Sequence, residues 1–154
     1  MPLHVGEKAP DFDVVASSGK RLKLAELAGK HVVLYFYPGD FTPVCTKETC
    51  MFRDAYEELA GGDTEVIGVS VDSDESHRKF AAKYELQFHL VSDPEKKLAK
   101  VYDATSFLRD ILGKTSRITY VIDKKGEIAG VFKGELSASK HVEGARDLIK
   151  KLTR

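Results

Sequence analysis

The two cysteines of this 154-residue chain, Cys45 and Cys50, fall in one short stretch, PGDFTPVCTKETC, from Pro38 to Cys50. That stretch follows an all-apolar run, Val32 to Tyr37, which reads as a buried strand, and it leads into an amphipathic segment that reads as a helix. Thr42 followed by Pro43 reads as an N-cap and a first-turn proline, because the hydroxyl can accept a backbone N–H and proline has none to lose. Cys45 then occupies the third helical position, where a capping box carries a carboxylate. The amides and the positive end of the helix macrodipole favour an ionised sulfur there, and the thiolate is the nucleophilic form of cysteine. Cys50 lies beyond the first turn and gains little from that field. Cys45 is therefore the candidate nucleophile.

Residues five apart on a helix differ by about 140° of rotation and roughly 7.5 Å of rise, which separates their alpha carbons by about 8.6 Å. Disulfides need less than about 7 Å. The two sulfurs can bond only if the start of the helix unwinds. Two cysteines in a chain of this length can also be small buried hydrophobes; the helix-start position of Cys45 weighs against that reading.

The elements around this stretch follow from hydrophobic period and turn residues. Gly6 to Lys23 holds a short alternating segment at Asp11 to Val15 and a turn at Ser17 to Gly19, which predicts a small hairpin. Leu24 to Leu27 reads as one helical turn ended by Gly29. The strand Val32 to Tyr37 is followed by a helix from Pro43 to about Ala60, with Cys45, Phe52, Ala55, Tyr56 and Leu59 on one face. Next come a strand at Glu65 to Val71, a helix to about Tyr84, a strand at His89 to Ser92, and a helix from Asp93-Pro94 to about Val101. This alternation implies a parallel sheet core. Ala104 to Lys114 has no clear period and reads as a loop. Thr115 to Ile122 and Glu127 to Lys133 flank a D-K-K-G turn and predict an antiparallel hairpin, and a last helix runs from about Ser139 to Leu152.

With 42% hydrophobic residues and no linker or repeat, residues 1–154 read as a single domain. Twenty-four basic residues balance twenty-four acidic ones, so no net field draws nucleic acid or an anionic membrane. No run approaches the roughly 18 apolar residues of a spanning helix, and MPLHVGEKAPDF has no apolar signal-type region. A cytoplasmic location is expected, where a reactive thiol stays reduced. His4, His31, His77, His89 and His141 show no ligand spacing with the cysteines, so no metal site and no cofactor are expected.

The pattern of Pro38, Thr42, Cys45 and Glu48 resembles the active-site signature of the peroxiredoxins. A second cysteine five positions on resembles the bacterioferritin-comigratory, or peroxiredoxin Q, branch. The likeness continues through GEKAPDF at Gly6, GVSVDSDESHRKFAAKY at Gly68, LVSDPEKKLAKVY at Leu90 and SRITYVIDKKGEI at Ser116. The resemblance implies a thioredoxin-like α/β fold, with a central mixed sheet flanked by helices and an N-terminal β-hairpin extension. It implies a peroxidase that reduces hydrogen peroxide and organic hydroperoxides, with thioredoxin or a similar protein dithiol as its reductant. Cys45 would become a sulfenic acid and Cys50 would resolve it as an intramolecular disulfide. By the same resemblance Thr42 would orient thiolate and peroxide, and Pro38 would shield the sulfur. Arg117 would hold the thiolate and the leaving oxygen, and Glu48 would orient Arg117. The Gly-Gly insertion and Tyr-Phe tail of overoxidation-sensitive members are not visible, and no further cysteine offers an intersubunit disulfide. A monomer or weak homodimer is expected. Two other readings stay open at this point: a general dithiol oxidoreductase, although those carry C-x-x-C, and a redox-switched binding or chaperone module.

Overall fold

A computed structural model describes residues 3–60, 63–104, 117–133 and 138–152. A five-stranded mixed sheet lies at its centre, and the middle strand, β3 (His31–Phe36), is buried at all six residues. β4 (Thr64–Ser70) and then β5 (His89–Ser92) pair parallel on one side of β3, with Val33 opposite Val66 and Ile67 opposite His89. On the other side β6 (Ile118–Ile122) runs antiparallel, with Phe36 opposite Ile118, and β7 (Ile128–Lys133) pairs antiparallel with β6. The apolar runs of β3 and β6 suit strands covered on both faces. A separate two-stranded hairpin, β1 (Asp13–Val15) with β2 (Arg21–Lys23), precedes the sheet and leads into a 3-10 turn at Leu24–Leu27.

Alternation along the strands divides the core in two. Val32, Leu34, Phe36, Ile118, Tyr120 and Ile122 face one cluster, which includes Phe12, Leu98 and Tyr102. Val33, Tyr35, Tyr37 and Val121 face the other, covered by helices α1 (Pro43–Ala60) and α4 (Ala138–Leu152). Here α1 contributes Cys45, Phe52 and Leu59, and α4 contributes Val142, Ala145 and Ile149. The Phe52 ring stacks on Tyr35 at 4.7 Å. The Tyr35 ring has room because β4 carries glycine at position 68, where a Cβ would lie 2.6 Å from the tyrosine Cζ.

Most sequence-derived boundaries agree with the structure to within a residue or two. β3 begins at His31 and ends at Phe36, one residue earlier than expected, yet the Tyr37 N–H still donates to the Val69 carbonyl at 3.0 Å. The helix α2 (Asp74–Tyr84) starts behind Ser73, whose hydroxyl caps the Ser76 N–H. Helix α3 (Lys97–Val101) starts later than Asp93-Pro94 suggests, because Lys96 takes a left-handed conformation and breaks the run. The Asp93 carboxylate reaches past that break and accepts from the Leu98 and Ala99 amides at 3.1 and 2.9 Å. The loop expected from Ala104 to Lys114 lies, beyond its first residue, outside the described residues.

Candidate active site

The fold delivers the motif to one point by two routes. β3 leaves the sheet at Phe36 and turns through a buried Pro38 into α1, which sets Cys45 in the first helical turn. Because Phe36 pairs with Ile118 in antiparallel register, Arg117 emerges from the adjacent strand beside that same turn. Arg117, Thr119 and Val121 share a face by strand alternation, the face that α1 and α4 cover. The guanidinium Nη2 donates to Cys45 Sγ at 3.0 Å and Nη1 to Glu48 Oε1 at 2.8 Å. Cys45, Glu48 and Arg117 are all buried, at 1%, 0% and 3% exposure. A buried arginine that joins a buried glutamate to the sulfur is not a surface cation, nor is that glutamate part of a solvated helix face.

Arg117 carries its charge firmly. Burial alone would draw the guanidinium down, but its electrostatic and hydrogen-bonding interactions with Glu48 and Cys45 outweigh it and raise the group above its ordinary value. The Thr42 hydroxyl, read from sequence as a cap that accepts from the helix amides, donates to the Gly39 carbonyl at 2.9 Å. A hydroxyl that donates once still offers lone pairs to a second donor, so this bond fixes its direction without exhausting it. Cys50 sits within α1, half-buried and not in a disulfide. Burial pushes its thiol above the ordinary value, with Arg53 opposing and Asp54 adding to the shift. The two sulfurs thus occupy unlike environments on one unbroken helix.

The sequence reading missed the outer part of this cluster. His141, on α4, lies fully buried with Nδ1 at 2.7 Å from Thr119 Oγ1 and 3.5 Å from Glu48 Oε2. Tyr35 Oη meets Thr49 Oγ1 at 3.1 Å. A signal existed for His141, which lies on the stripe of Ala138, Val142, Ala145 and Ile149 at helical spacing. A cavity of about 520 Å³, bordered by Pro10, Leu24, Val32 and Gly126, opens at the opposite end of β3 from Cys45. None of Pro38, Thr42, Cys45, Glu48, Cys50 and Arg117 lines it.

The family model described as the AhpC/TSA family matches residues 5–131. The chain belongs to this peroxiredoxin family. It is 40% identical to peroxiredoxin Bcp of Bacillus subtilis over 99% of both chains. It is likewise 40% identical to the chloroplastic peroxiredoxin Q of Populus jackii, over 97% of this chain and 70% of that protein. The crystallised bacterioferritin comigratory protein of Xanthomonas campestris, which has alkyl peroxide reduction activity, superposes with a TM-score of 0.86 at 27% identity, over 98% of this chain and 100% of that one. The fold is therefore the thioredoxin-like one of the peroxiredoxins, and the protein is a thiol-dependent peroxidase. Peroxiredoxins act on peroxides with a thioredoxin-type reductant. Among the described residues no helix is long and apolar enough to cross a membrane.

Proposed function

We propose that residues 1–154 form a single peroxiredoxin domain that reduces hydrogen peroxide and organic hydroperoxides through Cys45, with Cys50 as the resolving thiol and thioredoxin or a similar dithiol as the reductant. We place it in the cytoplasm as a monomer or weak homodimer. The observation that supports this reading best is the 3.0 Å contact from Arg117 Nη2 to Cys45 Sγ at the start of α1. In the reaction the Cys45 thiolate attacks one peroxide oxygen, the O–O bond breaks, and the other oxygen leaves as water or an alcohol after taking a proton. Arg117 donors and first-turn amides face the region where the leaving oxygen gains charge. Thr42 directs the approach, Pro38 closes the strand-to-helix turn over the sulfur, and Glu48 aims Arg117. The Cys50 thiol then displaces hydroxide from the sulfenic acid, forming the Cys45–Cys50 disulfide and water, and an external dithiol exchanges with that disulfide.

The unbroken helix makes local unwinding part of this cycle, because alpha carbons five positions apart stand beyond disulfide reach. The sequence suggests that Thr46 to Thr49 opens readily for want of an apolar anchor, yet Glu48 and Thr49 are both fully buried and polar-bonded. The anchor is thus electrostatic, and it depends on the redox state of Cys45. Oxidation removes the thiolate charge from the Arg117 site and loosens one of its two bonds, while unwinding gives up a few helical hydrogen bonds at about 1 kcal/mol each. Further along, Phe52 stacks on Tyr35, Arg53 donates to the Tyr84 carbonyl, and Glu58 pairs with Lys150, so the helix has a stop. Unwinding also exposes Cys50 and relieves the burial that holds its proton. Amide hydrogen exchange on reduced and oxidised protein is expected to show protection falling from Cys45 to Cys50 on oxidation and persisting from Tyr56 to Leu59. Equal protection in both states, with the intramolecular disulfide confirmed by mass, would exclude the unwinding step.

A further inference from the structure

Five residues ahead of Cys45 the active-site loop carries a second buried polar cluster that the peroxidase chemistry does not use. The Asp40 and His77 side chains are both wholly buried, with Asp40 Oδ2 at 2.7 Å from His77 Nδ1. Asp40 Oδ1 accepts from the Tyr37 hydroxyl at 2.6 Å, and Oδ2 also accepts from the Ser76 hydroxyl at 2.8 Å. The other ring nitrogen, Nε2, lies 3.1 Å from the Val91 carbonyl. Two hydroxyls approach the ring more distantly: Tyr37 at 3.5 Å from Nδ1 and Ser70 at 3.5 Å from Nε2. Both already spend their proton elsewhere, Tyr37 on Asp40 and Ser70 on Asp72 Oδ2 at 2.5 Å, so toward the ring they can only accept. Burial pushes the Tyr37 hydroxyl well above its ordinary value, and Tyr35 and Asp40 add to that, so the proton stays on it. The Val91 carbonyl can only accept, so Nε2 carries a proton, and the short Nδ1–Asp40 Oδ2 contact holds one more between ring and carboxyl group. With that shared proton on the ring, the pair is an imidazolium beside a carboxylate.

The backbone of the loop is pinned at the same place. Asp40 N–H donates to Asp72 Oδ2 at 2.8 Å. The next residue, Phe41, holds φ at 62°, a left-handed conformation that a bulky side chain keeps only under outside constraint. Its ring is clamped edge-on against Phe80 at 5.0 Å, with Lys83 Nζ 5.7 Å from its centroid. Thr42 and the start of α1 follow at once. Asp40, Asp72 and His77 present ligand atoms within 4.8 Å of one another, but the direct Asp40–His77 hydrogen bond and the Tyr37, Ser70 and Ser76 donors engage them with each other rather than with a common point.

We propose that His77 and Asp40 form a buried imidazolium–carboxylate latch that positions the loop carrying Thr42 and Cys45 and keeps its upstream end fixed while α1 unwinds downstream. Both are positioning residues, since neither touches the reacting sulfur. The kinetic part of the proposal rests on Cys45 as that sulfur; the charge state of His77 does not. Nitrogen-15 NMR of the reduced full-length protein at neutral pH is expected to show both His77 ring nitrogens protonated, and an unprotonated ring nitrogen would overturn the latch. In stopped-flow single turnover, Asp40→Asn and His77→Asn should each slow Cys45 oxidation by about tenfold or more, because misplacement of a reacting group by about 1 Å costs up to a hundredfold. The double variant should lose no more than the worse single one, as expected for two halves of one interaction. Folded variants that melt earlier but oxidise at the normal rate would reduce the pair to a purely structural role and overturn the proposal. Should the variants fail to fold, the ring-nitrogen spectrum decides alone.

Discussion

Replacing Cys45 by serine is expected to bring peroxide consumption down to the uncatalysed background, the largest effect of any single substitution in this chain. The serine hydroxyl can still accept from Arg117 Nη2, now 3.0 Å from the sulfur, so the fold and the buried ion pair should survive. What is lost is ionisation, because an alcohol is scarcely deprotonated at neutral pH and a neutral hydroxyl does not attack an O–O bond. The check is steady-state peroxide reduction with thioredoxin or dithiothreitol, alongside Cys50→Ser as a control. Given peroxide with no reductant present, the control should still consume about one equivalent per chain and then stall, since it keeps the nucleophile and lacks only the resolving thiol. Substantial turnover by Cys45→Ser would remove Cys45 from the chemistry.

The second large effect is expected at Arg117. Arg117→Ala should lower the second-order rate with peroxide by about a hundredfold or more, the usual consequence of deleting one donor that faces developing charge. This variant also leaves Glu48 buried without the guanidinium, and breaking a buried pair typically costs about 3–5 kcal/mol of stability. Fold and rate must therefore be separated. Adding Glu48→Gln removes the stranded charge, so the double variant should melt closer to wild type while remaining as slow as Arg117→Ala. A double variant that recovers the rate together with the melting temperature would show that Arg117 serves the fold alone. A rate unchanged in Arg117→Ala would make the same point more simply.

Much of this arrangement is legible in the chain, and the reason differs by element. The helix from Pro43 to Ala60 and the strand before it follow from local signals, a proline behind a threonine and a run of apolar residues, which no tertiary contact had to override. The site triangle was reached differently. Nothing local distinguishes Arg117 from a surface cation, and its placement followed from resemblance; the register of β6 against β3 is the physical cause. Glu48 was locally readable, since it falls in phase with Cys45, Phe52, Ala55 and Leu59 on the stripe that packs against the sheet, and a charge there must find a buried partner. His77 is in phase with Phe80 and Tyr84 on α2, and by the same argument could have been singled out from the scattered histidines. Its partner could not. Asp40 lies 37 residues away in a loop, and only the parallel pairing of β3 with β4 brings them together. The bond from the Thr42 hydroxyl to the Gly39 carbonyl was not foreseen, because it comes from the geometry of the turn, which residue type does not encode.

The Arg117–Cys45 contact and the unbroken first turns of α1 also set how willingly the enzyme accepts electrons. In the proposed cycle both belong to the reduced form alone: the guanidinium would stabilise a thiolate that the disulfide lacks, and the helix would be partly undone before the disulfide forms. Whatever stabilises a dithiol relative to its disulfide raises the reduction potential of the couple, by about 30 mV for each 1.4 kcal/mol. On that cycle the features that prepare Cys45 for peroxide would make the product an oxidising disulfide, able to take electrons from a dithiol protein. Refolding of α1 would then supply part of the driving force for that return, so the energy put into opening the helix during oxidation would come back when the reductant arrives.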